Sequence, residues 1–278
     1  MGLKRSQIAL GNYAHPLYSF DRFLDCAESL HINSLELWGA GPHFYFYDYT
    51  DERAKEFFKK IQDRGMKIIC MTPEQCMYPI NIACDDPVMR QRSIDYFKKG
   101  IDFCRIMDCP MLLVTPGKGY FDQPPEAAWS RCVEALREIG VYAAGAKVGL
   151  AVEHLTHLST NVAVTAAQLA SLVKEVALPN VGGMVDTDMA GRVEEGVADY
   201  LSAFGNRLSH VHLVDGMPGG HMVPGDGVLQ LEKQMRQLAA SGYQGYITPE
   251  IMHSSYQLEP EKALERTVRW MESVFAED

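Results

Sequence analysis

Short apolar runs alternate with longer amphipathic stretches along the whole chain. The runs are Gln7–Leu10, Ser34–Trp38, Lys67–Met71, Met111–Thr115, Gly149–Glu153, Gly182–Val185, Leu208–Val214 and Gly245–Ile247. Several carry Val, Ile or Leu without polar alternation, as a strand covered on both faces requires. Between them, helix-like patterns run over Asp51–Arg64, Pro87–Met107, Glu126–Ala144, Val164–Glu175, Leu229–Ala240 and Glu261–Phe275. The punctuation agrees. Gly65, Gly145, Gly205 and Gly242 stand where a helix stops and a strand follows, a place for left-handed backbone. Pro87 suits a first helical turn, and Thr165-Ala-Ala-Gln168 reads as a capping box. Eight strand–helix units without a linker predict one domain over residues 1–278, an α/β chain closed as a (β/α)8 TIM barrel. A doubly wound open sheet is the structural alternative. It would bring a Gly-rich dinucleotide fingerprint after an early strand, and the sequence contains none.

Composition narrows the class. With 278 residues, 47% hydrophobic and 22% charged, the chain can bury a large core without staples. A formal charge of −10 argues against a nucleic-acid partner and against anionic lipid. The seven cysteines, Cys26, Cys70, Cys76, Cys84, Cys104, Cys109 and Cys132, are odd in number and form no C-x-x-C pair. That usage suits free thiols in a reducing cytoplasm, not a disulfide framework or zinc module. No apolar run approaches the ~20 residues of a membrane span, and no signal peptide opens the chain. Gly2 with Ser6 matches a short N-myristoylation pattern, set against a plain soluble start.

In barrel enzymes, chemistry sits at the carboxyl ends of the strands. The fifth run ends at Glu153, the sixth leads to Asp186, the seventh contains His212, and the eighth leads through Thr248-Pro249 to Glu250. Their separations of 33, 26 and 38 residues are each about one strand–helix unit, so four consecutive units deliver one ligand each to the same rim. Any one of the four has a bland explanation as a loop residue paired with a neighbour, and His212 as a satisfied barrel histidine. Together they are harder to dismiss, because burying three carboxylates side by side is costly unless a cation compensates them. Three carboxylates and one imidazole favour Mn²⁺, Co²⁺, Mg²⁺ or Fe²⁺ over a thiolate-type zinc site.

Further segments carry a resemblance: Leu35-Glu-Leu-Trp38-Gly39 with Pro42-His43, Thr72-Pro-Glu74 with Tyr78-Pro79, Glu153-His154-Leu-Thr156 and Met184-Val-Asp186. Then come His210-Val-His212-Leu-Val-Asp215, Pro224-Gly-Asp-Gly227, Gly242-Tyr-Gln-Gly-Tyr246 and Glu250. With this spacing over nearly the whole chain, the sequence resembles the sugar isomerase/epimerase superfamily of xylose isomerase-like barrels. Within it the likeness is to the ketose 3-epimerases, nearest to the type acting on fructoselysine. The resemblance implies a homo-oligomer holding one divalent ion, Mn²⁺ first with Zn²⁺ also in range, on Glu153, Asp186, His212 and Glu250. It also implies C3 epimerisation of a ketose or substituted ketose through a metal-stabilised cis-enediolate, with Glu153 and Glu250 exchanging the proton. Three departures bear on the substrate: Ser159 stands where an acid is usual, Met189 where a His is usual and Pro218 where an Arg is usual. Those groups would grip a simple ketohexose, so a free fructose or tagatose is not the expected substrate; the fructoselysine type also lacks the last two but keeps the acid where Ser159 stands.

Trp38, His43, Glu74, His154, Asp188 and Asp215 are candidate substrate contacts. His154 has an equal alternative in the outer barrel layer, and Asp188 and Asp215 have one as loop caps. Phe44-Tyr-Phe-Tyr47 is read as an aromatic lid or dimer contact. His15, His157, His221 and His253 are rim candidates, and His31 is read as a helix-end residue. Competing functions are a lyase or dehydratase on the same barrel, of the inosose-dehydratase or C-glycoside-cleaving kind, and a non-enzymatic metal- or sugar-binding barrel. A barrel DNA-repair endonuclease would need more histidines and a basic face.

Overall fold

The computed structural model describes residues 2–75, 79–217 and 219–275. Eight parallel strands pair in chain order: β1 (Leu10–Gly11), β2 (Ser34–Gly39), β3 (Lys67–Pro73), β4 (Met111–Val114), β5 (Gly149–Val152), β6 (Val181–Asp186), β7 (Leu208–His212) and β8 (Ile247–Thr248). The ring closes where Ala9 N–H donates to Ile247 O at 3.0 Å beside an Ile8–Ile247 bridge. Around it run α1 (Phe20–Ser29), α2 (Asp51–Gln62), α3 (Pro87–Ile106), α4 (Pro125–Gly145), α5 (Ala166–Val176), α6 (Thr187–Gly191), α7 (Val197–Phe204), α8 (Leu231–Ala240) and α9 (Pro260–Val274). The chain is thus a single-domain (β/α)8 barrel. No helix among the described residues is long and apolar enough to cross a membrane.

The two-residue period of a strand sorts the side chains. Leu35, Leu37, Leu112, Val114, Leu150, Val152, Val185 and Val211 join the large cluster between sheet and helices. Ala9, Ile69, Cys70, Leu113, Ala151 and Met184 form a second, smaller cluster. They come from the opposite strand face, with Ile69 and Cys70 side by side where β3 shifts register against β2, and floor the barrel. Above that floor the inward positions turn polar, with Glu36, His210, Asp186 and His212 all buried.

The caps largely follow the sequence. Thr165 and Gln168 form the capping box of α5, and Pro87 opens α3 behind Asp86, whose carboxylate accepts from Val88 and Met89 N–H. Gly65, Gly205 and Gly242 take positive φ, but the left-handed residue after α4 is Lys147 at φ 60°, because Gly145 is still the last helical residue. His31, at φ 53°, lies just past α1 as expected. The first strand starts later than Gln7, which belongs to a 3-10 turn over Arg5–Gln7. The six cysteines other than Cys76, which lies outside the described residues with Met77 and Tyr78, are free and buried.

The aromatic stretch after β2 is an anchor. Phe44 and Phe46 are fully buried, Phe44 against Phe57 and Phe103, and Phe46 against Tyr96 and Phe103. Phe46 fits because Gly39 of β2 and Gly100 of α3 leave room: a Cβ on either would come within 2.6 Å of its ring. Tyr47 is the exposed member.

Candidate metal centre

Strand alternation explains how the carboxyl face is armed. Val152, Val185 and Val211 point outward, so Glu153, Asp186 and His212 point in, and Pro249 carries the chain past β8 to Glu250. The four residues offer donor atoms that all lie within 4.8 Å of one another. Their side chains are 7%, 0%, 0% and 12% exposed in chain order. His212 Nδ1 lies 3.0 Å from Glu250 Oε2 and 3.4 Å from Glu153 Oε1, yet neither approach has hydrogen-bond geometry. Glu153 Oε1, Asp186 Oδ2, His212 Nδ1 and Glu250 Oε2 are all buried without a hydrogen-bond partner. Four converging orphaned donors, three of them oxygens, fit a divalent cation: buried polar groups are costly unless something satisfies them.

Supporting contacts aim these donors. Asp186 spends Oδ1 on the N-terminus of α6, accepting from Met189 N–H at 2.8 Å, which leaves Oδ2 for the centre. His212 Nε2 donates to Glu36 Oε1 at 3.0 Å, and His210 Nε2 donates to Glu36 Oε2 at 2.7 Å. Tyr13 OH, at 2.8 Å, and Thr72 Oγ1 also donate to Glu36 Oε1. An ionised carboxylate accepts only, so Glu36 fixes the N–H of His212 on Nε2 and turns the Nδ1 lone pair toward the other three donors. Glu36 and His210 lie within motifs of the sequence, but nothing in the local pattern assigns either a role.

Without a cation the charges compensate one another with protons. Burial pushes the Glu153 carboxyl up to about 7 and that of Asp186 to about 6. Glu250 falls to about 2: burial opposes this, but the His212 and His221 imidazoles outweigh it. Glu36 is held well below the carboxylate range by His212 and His210 against its burial, and His212 itself stands well above 6.5 against its own desolvation, through Glu36 and Glu250. His221 joins the centre from the β7–α8 connection, its Nε2 3.3 Å from Glu250 Oε2.

The candidate substrate contacts divide. Trp38 ends the inward face of β2 and stacks on Tyr13 at 5.7 Å between ring centroids. Glu74 follows β3, with its pKa raised by burial. Asp188 is buried on α6, its Oδ2 bound by Arg192 Nη2 at 3.0 Å and its Oδ1 without a partner. His43 has both ring nitrogens engaged, Nδ1 with Asn12 Nδ2 at 2.8 Å and Nε2 with Tyr18 O at 2.7 Å. His154 lies behind the barrel wall against the Tyr200 ring of α7, and burial lowers its pKa to about 4. Asp215 spends its carboxylate on the N–H groups of Gly216, Gly225 and Leu229 at 2.8–3.0 Å. Of the other rim histidines, His15 is fully buried, His157 is exposed and His253 caps a 3-10 turn through Ser255. Pro218 lies outside the described residues. A cavity of about 210 Å³ opens on the same face, among the connections after β3, β4 and β5. Ile80, Asp85, Lys118, Tyr120, Leu155 and Ser159 help line it.

A closed parallel barrel that brings four buried donors fit for a cation together on its carboxyl face defines the class of protein by its architecture. Residues 24–274 match the family described as xylose isomerase-like TIM barrel, and the chain belongs to that family. It is 33% identical over 250 residues to fructoselysine 3-epimerase of Shigella flexneri, covering 88% of this chain and 90% of the relative. Among solved structures, a D-allulose 3-epimerase from Methylomonas sp. in complex with D-allulose superposes with a TM-score of 0.82 at 17% identity, covering 99% of both chains. An IolI protein with a bound zinc atom superposes with a TM-score of 0.80 at 18% identity, covering 96% of this chain and 97% of that one. At such identities these two likenesses concern the fold.

Proposed function

We propose that the chain is a divalent-metal-dependent sugar epimerase that inverts C3 of a ketose bearing a substituent, of the fructoselysine kind. In this reading Glu153, Asp186, His212 and Glu250 hold the ion, Mn²⁺ by preference, and Glu153 and Glu250 form the acid–base pair. The observation that carries it is the pairing of those two glutamates. They come from opposite ends of the ligand arc, after β5 and β8, and each turns one oxygen to the centre. Their second oxygens, Glu153 Oε2 and Glu250 Oε1, accept no hydrogen bond among the described residues.

A bound divalent cation would supply Lewis acidity, drawing electron density from the carbonyl and neighbouring hydroxyl of a chelating ketose. The protein does the rest. One glutamate takes the proton from C3, and the other delivers a proton to the opposite face of the same carbon, so the net change is one inverted centre with nothing lost. Asp186 and His212 serve to hold the ion. Trp38, Glu74 and Asp188 remain the substrate contacts, while His43, His154 and Asp215 have structural duties.

The substituent rests on the cavity. Leu155 is two residues from Glu153, so its Cα is at most about 7 Å from that of the ligand. Ser159 lines the cavity where a longer acidic side chain would project into it. The test is deuterium incorporation from D2O into ketoses and N-substituted 1-amino-1-deoxyfructoses by the Mn²⁺-loaded protein. Glu153→Gln and Glu250→Gln should each cut exchange at C3 by a factor of about 10² or more. Exchange retained by both variants would sink the acid–base assignment, and net loss of water in the mass spectrum would replace epimerisation with elimination.

A further inference from the structure

His221 is placed with more care than a surface histidine needs. Its Nε2 lies 3.3 Å from Glu250 Oε2 and 3.9 Å from Asp186 Oδ2, and its Nδ1 lies 3.8 Å from Asp188 Oδ2. It is 23% exposed where the four clustered donors are 0–12% exposed, so it stands on the solvent side of the centre, where a ligand has to enter. Its backbone sits at φ 52°, a conformation that non-glycine residues seldom keep unless their surroundings impose it.

The surroundings do impose it. The His221 carbonyl accepts from Met252 N–H at 3.2 Å and His253 N–H at 3.3 Å, which ties the connection after β7 to the one after β8. The next residue, Met222, exchanges two backbone hydrogen bonds with Asp215, at 2.8 and 2.9 Å. Arg192 Nη2 reaches Gly219 O at 2.8 Å while also binding Asp188 Oδ2, which ties the same loop to α6. Two neighbouring elements and a backbone pair within its own connection therefore fix the backbone that carries this imidazole at the mouth, the kind of preorganisation a ligand contact needs.

We propose that His221 is a substrate-contacting residue: it donates from Nε2 to a hydroxyl of the sugar on the open side of the metal centre and so helps select the hydroxyl pattern accepted. The inference rests on the sugar-epimerase reading above. It is tested with His221→Ala and His221→Gln against three readouts. These are Mn²⁺ affinity of the metal-free protein, calorimetric binding of D-fructose and an N-substituted 1-amino-1-deoxyfructose to the Mn²⁺-loaded protein, and KM with kcat for exchange. The Ala variant is expected to keep its Mn²⁺ affinity within about threefold and to bind sugar roughly tenfold more weakly, with Gln recovering part of the loss. A tenfold or greater loss of Mn²⁺ affinity would make His221 a metal ligand and overturn the proposal, as would unchanged sugar affinity in both variants. Wild-type protein that binds sugar without exchanging its protons refutes epimerisation alone, and the calorimetry still decides His221. Binding of neither sugar by the wild type overturns both.

Discussion

His212 donates from Nε2 to Glu36 Oε1 at 3.0 Å while its Nδ1 stands 3.0 Å from Glu250 Oε2. One ring thus links a buried carboxylate on β2 to the donor cluster, and the carboxylate sets which nitrogen keeps its lone pair free toward the other donors. Replacing Glu36 by Gln presents an amide to two ring N–H groups that both need an acceptor. One of them meets an N–H instead, and the His212 tautomer is no longer fixed. Glu36→Gln is expected to weaken Mn²⁺ binding by about 10- to 100-fold, measured by titrating Mn²⁺ into metal-free protein. Unchanged affinity would show that the ring is oriented by packing alone.

The metal-free centre also ties stability to pH. Burial raises Glu153 from 4.5 to about 7 and Asp186 from 3.8 to about 6, so the folded state prefers both protonated. The contribution is present in full below those ordinary values and is lost as pH rises through 6 to 7. The raised His221 contributes in full below 6.5 and loses that contribution progressively up to about 10, so its loss begins in the same window and runs beyond it. A bound cation needs the carboxylates ionised and His212 neutral, so binding releases protons and strengthens as pH rises. The gain in Tm on adding Mn²⁺ should therefore grow from pH 5.5 to pH 7.5. A gain that shrinks over that range would mean that protons and metal do not compete for these side chains.

The clustering of the four donors is legible in the sequence because two simple periods coincide. One strand–helix unit separates successive donors, and strand alternation turns Glu153, Asp186 and His212 inward whenever their apolar neighbours turn out. The same alternation held an unused signal: His154 follows an inward Glu153 and so must face the helices. The supporting network was not legible. Glu36 and His210 lie 174 residues apart, and nothing local in either strand says that they will share a hydrogen bond. His221 depends on a loop whose course is set by Arg192, Asp215 and Met252 together. The aromatic stretch misled because composition cannot tell an anchor from a lid; that turns on two small residues, Gly39 and Gly100, in other elements.

That distinction can be measured. Phe46 is fully buried and packs on Tyr96 and Phe103, away from the donor cluster. Phe46→Ala should cost about 3–5 kcal/mol of stability, the usual loss for a buried aromatic ring, read as a lower urea midpoint. Mn²⁺ affinity, measured at a temperature where the variant remains folded, should stay within a few-fold of wild type. Unchanged stability with weaker sugar binding would restore the lid.

Ser159 offers the sharpest test of substrate shape. It sits in the wall of the 210 Å³ cavity beside Leu155, and its hydroxyl lies 3.3 Å from Thr156 Oγ1 in a short turn. Ser159→Glu adds two methylenes' worth of length and a charge, which a cavity this small takes up only by losing volume. Turnover of an N-substituted aminodeoxyfructose should then fall in kcat/KM by about tenfold or more, while that of an unsubstituted ketose should hold or rise, because an acid at this position is one of the groups expected to grip a simple ketohexose. Mn²⁺ affinity acts as the control and should not move, since Ser159 lies six residues beyond Glu153 and takes no part in the donor cluster. Equal losses for both substrates would separate the cavity from substituent recognition, and a gain with the substituted sugar would reverse the assignment.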